Sequence, residues 1–197
     1  MTIDHCMGWA TDKVSPPLQA RDELVEFLKL IKAENVKSYL EIGSRYGGTF
    51  EAVMTRCPPG SFGVCVDFPG GEFGDDNSAP LLLAALKRIR RNAREASVIF
   101  GPSGAPEVVD RAVQHAPYDC VFIDGDHAYE AVKRDFELYA PMGRMIALHD
   151  IAAPDDWTDG RGSLVEVGRF WREIRHLYRS FEIVTPGTNM GIGVLWR

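Results

Sequence analysis

The strongest constraint on the fold is an alternation of short apolar runs and longer amphipathic segments, which continues along most of the 197 residues. The apolar runs are rich in β-branched and aromatic residues, which is typical of strands buried on both faces. The segments between them repeat apolar residues at helical spacing, as at Leu24, Phe27 and Ile31. The predicted strands are 38–42, 62–67, 97–100, 118–124, 145–150, 181–185 and 191–196, and the predicted helices are 18–33, 49–56, 79–93, 106–115, 128–139 and 163–178.

Strands that alternate with helices predict right-handed βαβ units and a mostly parallel sheet, which is an α/β fold. The end of the chain departs from this pattern, because only residues 186–190 separate the last two predicted strands. That segment is too short for a crossover helix, so we expect these two strands to pair antiparallel. Residues 1–17 look irregular, and residues 18–197 are expected to form a single domain, as a chain of this length predicts.

Composition and charge narrow the classes of partner. The net charge of −6 argues against nucleic acid, and we interpret the basic residues at 87–94 as the solvated face of a helix. No apolar run in the sequence approaches the ~18 residues of a membrane span, and the first residues do not form a signal peptide. The four cysteines show no metal-site spacing. We therefore expect a cytoplasmic protein with reduced thiols and a small-molecule partner, and neither a membrane nor a nucleic-acid partner.

A glycine-rich turn follows the first predicted strand and opens a helix, which brings backbone N–H groups close to a ligand. Its spacing is Gly43-x-x-x-Gly47, not the G-x-G-x-x-G of dinucleotide-binding folds, and Glu41 precedes the first glycine. A carboxylate there repels a pyrophosphate and suits a cationic ligand, such as the sulfonium-bearing amino acid of S-adenosylmethionine. Asp67 ends the second strand, where a carboxylate can accept two hydrogen bonds from a ribose diol. The alternatives are an ordinary tight turn and, for Asp67, a helix cap.

Carboxylates and imidazoles end two further predicted strands, at the edge of the sheet where open parallel folds bind ligands. In one interpretation, Asp124 and Asp150, with His149 or Asp126, bind a divalent cation that lowers the pKa of a substrate hydroxyl. Oxygen ligands would suit Mg²⁺ or Ca²⁺, and a histidine would admit Mn²⁺ or Zn²⁺. In another, His127 or His149 acts directly as a general base near neutral pH. A third interpretation makes Asp126 and His127 caps of the helix that follows them.

The chain carries the motifs LEIGSRYGGTF at 40–50, VCVDF at 64–68, FIDGDHAYEAVKRDFELYAP at 122–141 and IALHD at 146–150. Together these motifs resemble the class I S-adenosylmethionine-dependent methyltransferases. The long motif is similar to small-molecule O-methyltransferases related to the cephalosporin-biosynthesis methyltransferase. The resemblance extends from residue 18 to the C-terminus. It implies a Rossmann-like, doubly wound sheet of seven strands, mostly parallel, with one antiparallel strand near the C-terminus.

The resemblance also implies roles for individual residues. The implied cofactor contacts are Glu41, Gly43, Ser44 and Gly47 around the methionine part, Asp67 at the ribose, Phe68 beside the adenine, Gly101 and Ser103 at the adenine edge, and Asp124 beside the transferred methyl. The catalytic candidates are Asp124, His127 and His149, and the candidate metal ligands are Asp124, His149 and Asp150. The leading hypothesis is O-methylation of a small hydroxylated molecule, with metal assistance as an open alternative.

Two other function classes stay open at this point. A nicotinamide-dependent oxidoreductase would share the ribose-binding carboxylate but needs the missing glycine spacing. A non-catalytic relative would keep the fold as a binding module and would have no use for the acidic cluster. The acceptor pocket must come from the first residues, from the loop at 151–162 or from a second subunit, so a homo-oligomer is also an open alternative.

Overall fold

The computed structural model describes residues 17–197. The prediction of an irregular segment at 1–17 therefore lies outside the described residues, except for its last position. The strands of the described chain are β1 Ser38–Ile42, β2 Phe62–Asp67, β3 Glu95–Phe100, β4 Tyr118–Ile123, β5 Gly143–His149, β6 Arg179–Ile183 and β7 Ile192–Trp196. Its α-helices are α1 Arg21–Ala33, α2 Gly48–Arg56, α3 Ser78–Arg91, α4 Pro106–Val113, α5 Tyr129–Tyr139 and α6 Val167–Ile174.

The strands form one seven-stranded sheet in the order β3-β2-β1-β4-β5-β7-β6. Strands β1 to β5 pair in parallel, and β7 runs antiparallel to both of its neighbours, β5 and β6. The predicted doubly wound fold with one antiparallel strand near the C-terminus is confirmed. The strand order reverses between β1 and β4, so the carboxyl ends of these strands form the crevice where such folds bind ligands.

Helices cover both faces of the sheet, because side chains of the buried strands alternate between them. Leu40 and Ile42 of β1 pack on the face covered by α4, α5 and α6. Tyr39, between them in register, packs on the face covered by α1, α2 and α3. Apolar side chains at helical spacing in α1, which the sequence predicts, are buried against this second face. The described residues include no helix long and apolar enough to cross a membrane.

Two predicted helices begin later than their patterns indicate. Helix α1 begins at Arg21 because Ala20 has an extended backbone, with ψ of 131°. Helix α6 begins at Val167 because the N–H of Glu166 donates to the carbonyl of His127, at 2.8 Å, instead of continuing a helix backwards. The early start of α1 in the prediction placed Gln19 inside a helix, whereas the structure places it in the segment that leads into α1.

The basic residues at 87–94 are partly used inside the protein. Arg88 donates two hydrogen bonds of 2.7 Å to the carboxylate of Glu51 and so joins α3 to α2. Arg90 donates to the carbonyl of Ala96, and Arg94 to the carbonyl of Cys57. The prediction of a wholly solvated face is therefore wrong for these three arginines, whose charges stabilise the packing of α2, α3 and the following strand.

A buried carboxylate fastens the antiparallel end of the sheet to α1. Glu23 is fully buried and accepts hydrogen bonds from the N–H of Thr185, the hydroxyl of Thr188 and the N–H of Gly191, all between 2.8 and 2.9 Å. These three donors satisfy a charge that would otherwise be costly to bury. The contact fixes the β6–β7 loop, whose Met190 reaches the crevice at the carboxyl ends of the strands.

Candidate active site

A cavity of about 670 Å³ lies at the carboxyl ends of β1, β2, β4 and β5. Its floor is the row of residues that directly follow these strands. Its walls come from the loop after β2, the loop after β3 and the long loop between β5 and α6. The residues that line it include Gln19, Gly43, Ser44, Arg45, Thr49, Asp67, Phe68, Phe73, Gly101, Ser103, Asp124, His127, Arg134, His149, Asp150 and Trp157.

Gly43 is required by the close approach of two strand ends. Its φ of +86° lies in the left-handed region, and its N–H donates to the carbonyl of Val66 at 2.9 Å. A Cβ at this position would lie 2.1 Å from the main-chain oxygen of Asp124. Glycine therefore lets the turn after β1 pack directly against the end of β4, which places the predicted cofactor turn beside the acidic cluster.

Gly47 and Glu41, both predicted to contact the cofactor, lie outside the cavity lining. Gly47 precedes α2 with φ of +80°, and a Cβ there would lie 2.9 Å from side-chain carbons of Leu82 and Ala85 in α3. Glu41 is buried and accepts a 2.6 Å hydrogen bond from the hydroxyl of Tyr39. Burial raises the pKa of Glu41 to about 8. Both residues therefore pack beneath the glycine-rich turn, on the side away from the cavity.

Asp67 lies where a ribose-binding carboxylate was predicted. It ends β2, lines the cavity and accepts a hydrogen bond from the N–H of Arg45, which has a positive φ of 44°. Burial raises the pKa of Asp67 to about 6, and the Arg45 N–H and guanidinium oppose that rise. Its neighbour Phe68 is half exposed and presents its ring to the same cavity.

Gly101 and Ser103, after β3, also line the cavity as predicted. The hydroxyl of Ser103 is at 2.8 and 2.9 Å from the two carboxylate oxygens of Asp135, a fully buried residue of α5. Arg134 lies beside this pair, with its guanidinium 3.2 Å from Asp135, and lines the cavity as well. The loop after β3 is thus anchored to α5 by polar contacts that the sequence pattern did not indicate.

The acidic cluster brings together the ends of β4 and β5. The imidazole Nδ1 of His149 lies 3.3 Å from a carboxylate oxygen of Asp124 and 3.3 Å from one of Asp150. On the other side, Nε2 of His127 lies 3.7 Å from Asp124 and 3.5 Å from Asp150. Four of the five predicted chemical groups at these strand ends therefore meet within one cluster, which we call the Asp/His cluster: Asp124, His127, His149 and Asp150.

Charge complementarity governs protonation in the Asp/His cluster. Burial by itself would raise the pKa of Asp124, but the imidazoles of His149 and His127 hold it well below its usual range. Burial would lower the pKa of both histidines, but the carboxylates of Asp124 and Asp150 raise it, most strongly for His149. The two carboxylates therefore favour the charged form of the His149 imidazole, which lies 3.3 Å from each of them.

The donor set fits a divalent cation. Asp124, His127 and Asp150 offer ligand atoms that all lie within 4.8 Å of one another. Two carboxylates with one imidazole suit Mn²⁺ or Zn²⁺ better than an all-oxygen site would. His127 approaches both carboxylates with Nε2 and His149 with Nδ1; the other nitrogen of each ring is buried without a hydrogen-bond partner in the described structure. The three-residue group contains His127 in the place that the sequence assigned to His149.

Asp126, by contrast, accepts a 3.0 Å hydrogen bond from the N–H of Ala128, just before α5. This contact belongs to the turn before α5, which has no side-chain cap hydrogen bond, so the capping interpretation is wrong for Asp126.

The loop between β5 and α6 forms part of the cavity wall. Trp157 and Asp159 line the cavity, and Arg161 donates a hydrogen bond to the carbonyl of Glu72 across the opening. The Arg161 guanidinium also lies 5.6 Å from the ring centre of Phe73. The loop at 151–162 and the loop after β2 therefore meet above the Asp/His cluster. Phe73 was not predicted, because a single phenylalanine in a glycine-rich loop carries no periodic signal.

The chain matches a known family over most of the sheet. Residues 40–151, from within β1 to just past β5, match the model of a methyltransferase domain. This segment contains the glycine-rich turn, Asp67 and the whole Asp/His cluster. No curated protein matches the chain.

Solved methyltransferase structures share the fold. The O-methyltransferase from Bacillus cereus in complex with SAH has a TM-score of 0.67 and 15% identity, over 99% of this chain and 90% of that chain. TomG from Streptomyces achromogenes, an O-methyltransferase of tomaymycin synthesis solved with SAM, has a TM-score of 0.64 and 16% identity, over 98% and 88%. SAH-bound PaMTH1 from Podospora anserina has a TM-score of 0.65 and 14% identity, over 99% and 87%.

Proposed function

The chain belongs to the methyltransferase domain family, and from this premise we propose that it transfers a methyl group from S-adenosylmethionine to a hydroxyl of a small molecule. One observation carries the proposal: Asp67 at the end of β2 and the Asp/His cluster at the ends of β4 and β5 line a single cavity. Its volume of about 670 Å³ lies within the usual range for ligand pockets. The neighbours solved with SAH or SAM support the identity of the donor.

The half of the cavity at β1, β2 and β3 suits the donor. Asp67 would accept the two ribose hydroxyls, as ionised carboxylates at this position of doubly wound folds do. Phe68, beside it, offers an aromatic ring to the adenine, and Ser103 lies at the adenine edge. Gly43 and Ser44 would line the methionine part, with Glu41 and Gly47 supporting their turn. Asp124 would then stand beside the transferred methyl.

The Asp/His cluster would bind and activate the acceptor. Methyl transfer is an in-line displacement, so holding the acceptor hydroxyl in line can supply roughly 7–11 kcal/mol. A divalent cation held by Asp124, His127 and Asp150 would lower the pKa of that hydroxyl, with His149 as the alternative third ligand. Without a divalent cation, the general base would be His127, or His149 once its imidazole has released its own proton, a contribution of about 10²–10⁴-fold.

The surroundings of the cluster support a small acceptor. Phe73 and Trp157 close the cavity with apolar surface, and the loops that carry them are joined by Arg161. The loop at 151–162 supplies part of the acceptor pocket, and a second subunit of a homo-oligomer is the alternative source of the rest. We further propose that residues 18–197 form one domain and that the protein is cytoplasmic. We also propose that it acts without a membrane partner and without a nucleic-acid partner; the net charge of −6 supports the absence of nucleic acid.

Isothermal titration with adenosylhomocysteine (SAH) tests the proposal. We expect the wild type to bind SAH, and Asp67→Ala to bind it far more weakly, because the ribose loses its acceptor. Asp110→Ala, at an exposed position of α4, is the matched control and should bind like the wild type. No binding at high micromolar SAH, with Asp67→Ala behaving identically, would reject the proposal.

Two further experimental outcomes would indicate a different function for the protein. An enhancement of NADH fluorescence on mixing would indicate a nicotinamide-dependent enzyme. SAH binding without turnover, across a broad panel of hydroxylated acceptors, would indicate a binding module on the same fold.

A further inference from the structure

Gln19 connects the Asp/His cluster to the opposite wall of the cavity. It lies in the short segment that leads into α1, is 9% exposed, and lines the cavity between Thr49 in the first turn of α2 and Asp124 at the end of β4. A polar side chain this deeply buried is costly unless its hydrogen-bonding groups are satisfied. Hydrogen bonds with Thr49 and Asp124 satisfy the Gln19 amide.

Both ends of the Gln19 amide are used. Nε2 donates to Oδ2 of Asp124 at 2.6 Å, and Oε1 accepts a hydrogen bond from the hydroxyl of Thr49. The reverse orientation of the amide would place the lone pairs of Oε1 against an ionised carboxylate. The orientation is therefore set by chemistry at both ends, since an amide has one accepting and one donating terminus.

The two carboxylate oxygens of Asp124 have different partners. Oδ2 is occupied by the Gln19 amide, whereas Oδ1 faces both imidazoles, 3.3 Å from Nδ1 of His149 and 3.7 Å from Nε2 of His127. Without the amide, the carboxylate is free to rotate and to present either oxygen, or both, to the cluster. With it, one oxygen is aimed at the place where the ligand atoms of Asp124, His127 and Asp150 converge.

We propose that Gln19 is a positioning residue for Asp124: it fixes Oδ2 and so presents Oδ1 to the divalent cation and to the acceptor. The inference rests on the proposed function. Groups that orient a metal ligand by hydrogen bonding typically contribute 10–100-fold to metal affinity. Thr49 has a smaller part in the same chain of contacts, because it orients the amide and does not touch the carboxylate.

Titration of Mn²⁺ into the apo-protein, followed by electron paramagnetic resonance, tests the proposal without an acceptor. Gln19→Leu keeps the approximate shape of the side chain and removes both hydrogen bonds. We expect its Mn²⁺ dissociation constant to rise about 10–100-fold, while its SAH dissociation constant and melting temperature stay near the wild-type values. Gln114→Leu is the matched control, since this exposed glutamine lies at the end of α4, and it should change neither constant.

Thr49 variants separate positioning from packing. Thr49→Ser keeps the hydroxyl and should bind Mn²⁺ like the wild type. Thr49→Val, which replaces the hydroxyl with a methyl group of similar size, should weaken Mn²⁺ binding by less than Gln19→Leu does. An equal loss of Mn²⁺ affinity in Thr49→Ser and Thr49→Val would assign the effect to packing and overturn the proposal.

The outcomes also separate this inference from the proposed function. Unchanged Mn²⁺ affinity in Gln19→Leu, or an equal loss of Mn²⁺ and SAH affinity, would overturn the positioning role. A wild type that binds SAH but no Mn²⁺ would overturn it too, and would leave the methyltransferase proposal standing. A wild type that binds Mn²⁺ but no SAH would reject the proposed donor instead.

Discussion

The two halves of the cavity are built in different ways. The half at β1 and β2 is shaped by main-chain conformation: Gly43, Arg45 and Gly47 all have positive φ, and the N–H of Arg45 holds Asp67. The half at β4 and β5 also contains one positive φ, at Asp150, but its contacts are made by charged side chains, with two carboxylates and two imidazoles between 3.3 and 3.7 Å apart. The geometry of the first half therefore depends mainly on main-chain conformation, and that of the second depends mainly on contacts between charged side chains.

The difference predicts how each half responds to substitution. A change in the main-chain half should alter stability and donor binding together, because the same turn supports both. A change in the charged half should alter chemistry and cation binding while the fold persists, since the sheet does not depend on those charges for its register. The contact between Gly43 and the end of β4 is where the two halves meet.

The largest effect is expected for Gly43→Ala. A left-handed backbone costs a non-glycine residue about 1–2 kcal/mol, and here the Cβ would also lie 2.1 Å from the Asp124 main-chain oxygen. We expect a loss of at least about 4 kcal/mol in the free energy of unfolding by urea, which is exceptional for one substitution. SAH binding should be lost with it.

Gly60→Ala is the matched control for that clash. Gly60 has a similar φ of +82°, but a Cβ there meets no atom within 4 Å. It should cost only about 1–2 kcal/mol, the backbone strain alone. Equal losses in the two variants would contradict the close packing of the two halves.

Asp124→Asn should reduce chemistry without unfolding the protein. The substitution keeps the shape of the side chain and removes the charge that faces both imidazoles. Once an acceptor is identified, we expect turnover to fall about 10²–10⁴-fold, with SAH affinity changed far less. Asp110→Asn, on the exposed face of α4, serves as the control. A loss of SAH affinity as large as the loss of turnover would show that the charged half also binds the donor.

Glu41→Gln should stabilise the ligand-free protein at alkaline pH. Because the folded pKa of about 8 lies above the ordinary value, the Glu41 contribution is fully present at acid pH and is lost as pH rises toward 8. Glutamine does not titrate and avoids this loss. We would measure the free energy of unfolding by urea at about pH 6 and about pH 9. Between these two values, the difference between Glu41→Gln and the wild type should shift in favour of the variant by on the order of 1–3 kcal/mol, given about 1.4 kcal/mol per pKa unit.

The exposed Glu107→Gln in α4 should show no such gain. If the gap between the Glu41 variant and the wild type stays constant with pH, Glu41 is ionised throughout and is not buried behind the turn.

The smallest expected effect is the pH dependence of SAH binding. The pKa of Asp67 is raised to about 6, so the carboxylate is ionised above that value and protonated below it. An ionised carboxylate accepts from both ribose hydroxyls, so SAH affinity should fall by up to about tenfold per pH unit below the pKa. Asp67→Asn should bind more weakly and show a flatter profile by calorimetry. A wild-type profile as flat as that of the variant would remove Asp67 from the ribose contact.

The fold was predictable because each element carries a periodic signal. All seven strands overlap the predicted runs, and the short 186–190 connection predicts the antiparallel pair. The strands at 95–100, 143–149 and 179–183 begin two residues earlier than predicted. The larger errors fall at helix ends, where tertiary contacts decide the boundary. Glu166 bonds to His127 instead of extending α6, which no pattern within residues 163–178 could reveal.

The site was most predictable at the ends of strands. Asp67 and His149 are the last residues of β2 and β5, and Asp124 and Asp150 directly follow β4 and β5, so the parallel sheet brings them together. Gln19 was not found, because it precedes a helix and meets Asp124 across 105 positions of sequence. The identity of the third metal ligand, His127 or His149, depends on side-chain direction, which strand periodicity does not specify.

A crystal structure with SAH and Mn²⁺ bound would show directly whether the two halves bind different ligands. We expect SAH in the main-chain half, with both ribose hydroxyls on Asp67, and Mn²⁺ in the charged half, on Asp124, His127 and Asp150. The SAH sulfur should point from the first half toward the second. SAH bound away from Asp67, or Mn²⁺ bound away from the Asp/His cluster, would contradict the division of the cavity into a donor half and a chemical half.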